Sequence, residues 1–186
     1  MVVGLALVDA SDEALMEQFL QGDAQAFDAL FKRFARPLHG YLARLAGPSA
    51  AEDLTQTTFL SLVRGRGRFQ SGARLKPWLY AIATNAARDH LRRQRPEDLT
   101  REGELPPVAA DLPGPRDLGL ERAVQRALQQ LPESQREAII LHRFEGMSFG
   151  EIAQTLDLTE SAVKVRAHRG YVRLRVLLRG LKEDGA

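Results

Sequence analysis

The sequence predicts an all-α protein of two small helical domains, joined by a flexible acidic linker, with a helix-turn-helix in the second domain. Three observations carry this. Apolar residues recur at three- and four-residue spacing through most of the 186 residues, the period of an α-helix with one buried face. Leu, Ala and Arg are plentiful and aromatic residues make up only 6%, a composition that suits helices. The stretch from Pro96 to Asp117 holds Pro96, Pro106, Pro107, Pro113 and Pro115, several acids and no sustained period, which marks a linker. The expected boundaries are residues 1–95, 96–117 and 118–186.

In the first part, Ser11, Asp12 and Glu13 open a short helix to about Leu20, ended by Gly22. A longer helix follows from Ala24 to Leu45, with Phe27, Leu30, Phe31, Phe34, Leu38, Tyr41, Leu42 and Leu45 in period and Pro37 expected to bend or interrupt it. Gly47 and Pro48 end it, and Ser49 with Glu52 has capping-box spacing for the next helix, to about Arg64. Leu54, Phe59, Leu62 and Val63 supply that helix's buried side, while Glu52, Asp53 and Gln56 cluster at its start. Such acids also favour a helix N-terminus through its dipole. Gly65 to Ala73 reads as a basic loop with Arg64, Arg66, Arg68 and one aromatic, Phe69, which either stacks on an unpaired base or anchors the loop to the core. In the helix from Leu75 to Arg95, Leu75, Leu79, Ile82 and Ala86 form the expected core stripe. Trp78, Ala81, Asn85, Arg88 and Arg92 line a separate face. One aromatic, one amide and two guanidiniums there can combine stacking, base-edge and phosphate contacts, although Trp78 could equally serve the core.

In the second part, Leu118 to Leu131 is helical, Pro132 fits the first turn of a helix running to about Phe144, and Gly146 suits its C-terminal cap. Met147 to Arg175 then reads as a helix-turn-helix. Ser148 and Glu151 have capping-box spacing, Asp157 and Leu158 make the turn, and Thr159 is a second N-cap. Val163, Ala167, Gly170, Leu174, Leu177 and Leu181 form one stripe of the last helix, opposite Ser161, Lys164 and His168. Two helices packed in a core would show the same period, but a regular, basic exposed face favours entry into a DNA groove.

Charge distribution points the same way. Net charge is +2, yet residues 41–95 hold ten basic and three acidic side chains and residues 164–186 hold seven and two, with acidic stretches around them. Two cationic blocks suggest two contacts on one polyanion. The absence of cysteine excludes disulfides and thiolate metal sites and fits a cytoplasmic location. No apolar run reaches the ~20 residues of a membrane span, so no membrane insertion is expected. His39, His90, His142 and His168 lack metal-ligand spacing, and no phosphate-binding glycine loop or nucleophile elbow is present. A non-enzyme without a cofactor is expected.

Several segments resemble the bacterial extracytoplasmic-function (ECF) sigma factors. They are Ala51-Glu52-Asp53-Leu54-Thr55-Gln56, Lys76-Pro77-Trp78-Leu79-Tyr80-Ala81-Ile82-Ala83-Thr84-Asn85, Asp89-His90-Leu91-Arg92-Arg93, Leu131-Pro132-Glu133 and Gly146-Met147-Ser148-Phe149-Gly150-Glu151-Ile152-Ala153. The resemblance runs from about Asp12 to Leu181. It implies that the first domain docks on core RNA polymerase, on the clamp of the beta and beta-prime subunits, through Glu52, Asp53, Gln56 and Phe59. It implies that Phe69, Trp78, Asn85, Arg88 and Arg92 meet the minus-ten element of promoter DNA, where a base is flipped out. It assigns Glu160, Ser161, Lys164 and His168 to the minus-thirty-five element, with Arg166 and Arg169 steadying the backbone. The linker would thread the polymerase interior, and an anti-sigma factor would mask the docking surfaces. Asp157, where the family often has Gly, and Gly170-Tyr171 depart from the pattern. The competing reading is an autonomous helix-turn-helix regulator, which would bind as a dimer to two half-sites. A nucleic-acid hydrolase would need clustered acids and a divalent metal.

Overall fold

The computed structural model describes residues 10–94 and 116–183, which form eight α-helices and one short 3-10 turn. The stretch 96–115, most of the expected linker, lies outside the described residues, as does the apolar segment Val2–Val8. The helices are α1 (Asp12–Leu20), α2 (Ala24–Ala46), α3 (Pro48–Gly65), α4 (Leu75–Gln94), α5 (Arg116–Gln129), α6 (Glu133–Arg143), α7 (Phe149–Leu156) and α8 (Glu160–Glu183).

Helix starts follow local chemistry. The Ser11 hydroxyl accepts the Ala14 amide at 3.1 Å, and the Asp23 carboxylate accepts the Gln25 amide at 2.8 Å, each satisfying an otherwise orphaned donor. Pro37 does not interrupt α2; its ring sits on the exposed side of a continuous helix. The capping box expected from Ser49 and Glu52 does not form. Helix α3 begins earlier, with Gly47 at φ +100° as N-cap and Pro48 in the first turn, where a missing amide costs nothing. Ser49 is therefore already inside the helix.

Helices α1–α4 pack around Leu15, Leu30, Leu38, Tyr41, Leu42, Leu45, Leu62, Leu75 and Leu79, all essentially inaccessible. The core stripe of α4 differs from the expected one. Tyr80, Ala83, Thr84 and Ala87 are buried, while Ile82 and Ala86 are half-buried. The small alanines let α2 approach, and the Tyr41 and Thr84 hydroxyls share a 2.7 Å hydrogen bond there. Glu13 reaches across to accept the Leu75 amide at 3.2 Å, so α1 supplies a cap for α4.

In the second half, Pro132 is the N-cap of α6 rather than a first-turn residue. Gly146, at φ +66°, turns the chain so that the Met147 amide bonds the Leu141 carbonyl at 3.1 Å. The capping box of α7 is complete: Glu151 N donates to Ser148 Oγ (3.2 Å), and Ser148 N donates to Glu151 Oε2 (2.9 Å). The backbone bond from Ser148 holds the Glu151 carboxyl below its ordinary pKa. Asp157 takes a left-handed conformation, φ 54° and ψ 56°, and Thr159 Oγ1 accepts the Ala162 amide at 3.2 Å. Val163, Ala167 and Gly170 of α8 are buried, with Leu174 and Leu177 partly so; the side chain of Leu181 lies outside the described residues.

The two halves do not stand apart. Helix α7 packs on α4, and α5 and α6 pack on α2, so the buried side chains form one continuous cluster.

Gly170 is where α8 meets α6. A Cβ there would lie 2.6 Å from Ile139 Cδ1 and 3.2 Å from its Cγ1. Overpacking of this kind costs about 1–3 kcal/mol, against a helix-propensity gain of about 1 kcal/mol for Ala. Gly170→Ala should therefore lower the denaturant midpoint. Ile139→Val, which removes the clashing methyl, should cost less in the Gly170→Ala chain than in the native one. Additive losses in a double-mutant cycle would contradict the close approach.

Candidate nucleic-acid interface

Three surfaces gather the residues singled out by sequence. The first is the N-terminal half of α3. Glu52, Asp53 and Gln56 are exposed together, one and two positions off a face buried through Ala51, Leu54, Thr55 and Thr58. Thr55 and Thr58 are satisfied by the Ala51 and Leu54 carbonyls, both at 2.7 Å. Phe59 is not on this surface; it is buried and holds an aromatic cluster, 4.7 Å from the Phe31 ring and 6.3 Å from Phe27. The apolar groups actually presented beside the acids are Phe31 and Leu60, 45% and 55% exposed. Sequence reading placed Phe31 in the core because it keeps the helical period. Only its position at the edge of the stripe hinted otherwise.

The second surface is α4 with the loop before it. Asn85 and Arg92 are exposed, and Arg92 pairs with Asp89 at 2.6 Å. Arg64, Arg66 and Arg68 are exposed along the loop. Phe69 is only 7% exposed and meets Trp78 edge-on, 5.2 Å between centroids at 66°. Of its two sequence readings, the anchoring one describes this conformation. Trp78 is half-buried, serving core and surface at once.

Arg88 is engaged elsewhere. Its Nε and Nη2 donate to the two carboxylate oxygens of Glu137, each at 2.7 Å. Glu137, on α6, has a side chain 1% exposed. This bidentate bond raises the Arg88 pKa further. Around it lies a polar seam between the halves. Lys76 Nζ donates to the Glu145 carbonyl at 2.5 Å, and Tyr80 Oη donates to the Glu145 carboxylate at 2.5 Å. Burial pushes the Glu145 carboxyl up, with that hydrogen bond and Lys76 acting against it. Gln125 and Gln129 donate to the Ala43 and Arg44 carbonyls at the end of α2, at 2.8 and 2.9 Å. The Arg44 guanidinium lies over the Phe144 ring, 4.5 Å from its centre. Sequence reading missed all of these partners. The one available signal was that Glu137 stands directly before the apolar run Ala138–Leu141.

The third surface is the leading end of α8. Glu160, Ser161, Lys164, His168 and Arg169 are exposed, and Arg166 is half-buried. Glu160, Lys164 and His168 recur every four residues, one face of the helix. Lys164 Nζ pairs with Glu160 Oε1 at 2.6 Å and lies 6.0 Å from the Phe149 ring. Phe149 stacks parallel on His142 at 4.5 Å, and His142 Nδ1 shares a 3.1 Å hydrogen bond with the Tyr171 hydroxyl. The departure at Gly170-Tyr171 therefore fastens α8 to α6. Among the described residues, no three His, Asp or Glu side chains are grouped to hold a metal ion.

Residues 30–97 match the sigma-70 region 2 family model, and residues 121–174 match the sigma-70 region 4 model. The chain is 47% identical to the RNA polymerase sigma factor CarQ of Myxococcus xanthus, over 92% of this chain and 99% of that one. It is 38% identical to the ECF RNA polymerase sigma factor SigM of Mycobacterium tuberculosis (strain ATCC 25618 / H37Rv), over 91% and 86%. Among solved structures it is similar to CnrH in complex with the cytosolic domain of CnrY, with a TM-score of 0.72 and 27% identity over 91% of this chain and 97% of that one. It is similar also to the sigma factor RpoE in complex with the anti-sigma factor NepR from Bartonella quintana, with a TM-score of 0.67 and 27% identity over 84% and 98%. With both region models matched in order and close relatives spanning almost the whole length, the chain belongs to the extracytoplasmic-function sigma factors of bacterial RNA polymerase.

Proposed function

We propose that this chain binds core RNA polymerase and directs it to particular promoters, opening the DNA at the minus-ten element. It is a specificity subunit and not an enzyme. The observation that carries this is the exposed, cationic leading end of α8, presented on the same chain as a second cationic helix, α4. Two such faces on one subunit suit a promoter read at two places; an autonomous regulator would need a dimer to achieve the same.

The roles divide by region. Residues 1–95 dock on the polymerase and read the minus-ten element, and residues 118–186 read the minus-thirty-five element, with 96–117 as the connection. Glu52, Asp53 and Gln56 meet the clamp of the beta and beta-prime subunits, with Phe31 and Leu60 supplying the apolar contact that Phe59 supports from beneath. Asn85, Arg88 and Arg92 bind the strand whose base is extracted, at a cost of a few kcal/mol offset by stacking and phosphate contacts. Trp78 borders that face, and Phe69 sets the loop rather than stacking directly. Glu160, Ser161, Lys164 and His168 reach base edges in the major groove, where Lys suits guanine and Glu suits cytosine, and Arg166 and Arg169 hold the phosphates. The protein works in the cytoplasm, in keeping with the absence of a membrane-spanning helix among the described residues, and an anti-sigma factor regulates it.

Addition of the purified chain to core polymerase should yield promoter-dependent transcripts; no binding and no transcripts would overturn the function. Asp53→Ala should weaken core binding roughly fivefold or more, the loss expected of an interface residue worth over 1 kcal/mol, while leaving promoter selection by the remaining holoenzyme intact. Lys164→Ala should spare core binding and weaken promoter affinity by about 1–3 kcal/mol. Both are read by polymerase pull-down and promoter footprinting, and equal loss of both activities in both variants would contradict the division of roles.

A further inference from the structure

We infer that Glu137 is an internal competitor of DNA for Arg88, so that the α4 reading face is partly closed in the free chain until the seam between the halves parts. This rests on the reading of Arg88 as a phosphate contact.

The geometry is specific. A guanidinium grips a carboxylate or a phosphate with the same fork of parallel N–H groups. The fork of Arg88 is already spent, with Nε and Nη2 on Glu137 at 2.7 Å each. Arg88 is itself half-buried by the arrangement, whereas Asn85 and Arg92 on the same face remain exposed. One contact of the face is withheld and its neighbours are not, so the free chain should bind single-stranded DNA weakly rather than not at all.

Withdrawal of Arg88 has a second consequence. Glu137 would keep a buried carboxylate without its cation, a strongly unfavourable state. DNA can therefore take Arg88 only as Glu137 becomes hydrated, which requires the second half, packed through α5 and α6 on α2 and through α7 on α4, to shift against the first. The apolar packing of α5 and α6 on α2 and of α7 on α4 opposes this opening, but the polar contacts of the seam are replaceable. Lys76, Tyr80, Gln125 and Gln129 reach across it to a loop residue and to carbonyls at a helix end, groups that water can serve once exposed. Closure and DNA binding are thus linked, and by reciprocity any ligand that holds the seam shut must weaken DNA binding by the factor by which DNA weakens that ligand.

The test uses the full chain, without polymerase, and a fluorescein-labelled single-stranded oligo-dT probe. Glu137→Gln keeps the shape and some hydrogen bonding but removes the competing charge. It should tighten probe binding several-fold and steepen the dependence of log affinity on log salt by about 0.7, one added phosphate contact on a single strand. Arg88→Gln in the same chain should abolish the gain. Dyes at Thr57→Cys and Gln154→Cys, in a chain with no native cysteine, should report wider separation in Glu137→Gln. If Glu137→Gln proves too unstable, Gln125→Ala with Gln129→Ala weakens the seam away from Arg88 and should tighten binding in the same direction. Unchanged affinity with Glu137→Gln, while Arg88→Gln alone weakens the native chain, would overturn the competition but leave Arg88 a DNA contact. Affinity indifferent to every Arg88 variant would overturn the underlying reading of Arg88 as well.

Discussion

The buried carboxylate of Glu137 is the constraint on which the arrangement of the two halves depends. A charge taken out of water is tolerated only with a matched partner and satisfied lone pairs. Arg88 supplies that partner in its most directional form, two parallel bonds from the other half of the molecule. The pair ties α6 to α4 at one point, beside the packing of α5 and α6 on α2 and of α7 on α4. Tyr80 and Lys76 meet Glu145, α7 lies against α4, and the glutamines of α5 close over the end of α2. Apolar burial runs across both halves as one cluster, and the ion pair and the seam hydrogen bonds add directional contacts to it.

This arrangement leaves the three surfaces unequally exposed. The leading end of α8 projects freely, held from behind by Gly170 against Ile139 and by the Tyr171–His142–Phe149 contacts. The acidic edge of α3 is open, with Phe31 and Leu60 beside it. On α4, by contrast, Arg88 is half-buried and bonded to Glu137 while Asn85 and Arg92 are exposed. On the competition inferred above, the same guanidinium serves the fold in the free chain and the nucleic acid in the bound one.

Much of the local structure was legible in the sequence because it is decided within a few residues. The Ser148–Glu151 box, the left-handed Asp157, the Thr159 cap and the Gly146 turn each follow from side chains three or four positions apart. The capping box at Ser49 failed for an equally local reason: Gly47 and Pro48 start the helix first, so Ser49 never occupies the cap. The buried face of α4 was misjudged because it is set by what packs on it. Tyr80 and Thr84 pack on Tyr41, about forty residues away in sequence, and no period marks that choice over Ile82 and Ala86. Phe69 offered two uses that sequence could not separate, and its edge-on packing against Trp78 decided between them for this conformation. The residues 52, 53, 56, 160, 161, 164 and 168 were legible as exposed polar faces because helical period alone predicts exposure. Glu137 was not, because a carboxylate at the edge of a polar stretch looks exposed until its cation on another helix is seen.

Small-angle scattering of the free chain at low salt tests the seam most directly. Two halves held by the Arg88–Glu137 pair should scatter as one compact particle, with a radius of gyration near the ~16 Å expected of a folded chain of this length. Glu137→Gln should expand it. A native profile of two bodies at variable separation, unaffected by that substitution, would contradict the closed arrangement and the role given to the pair.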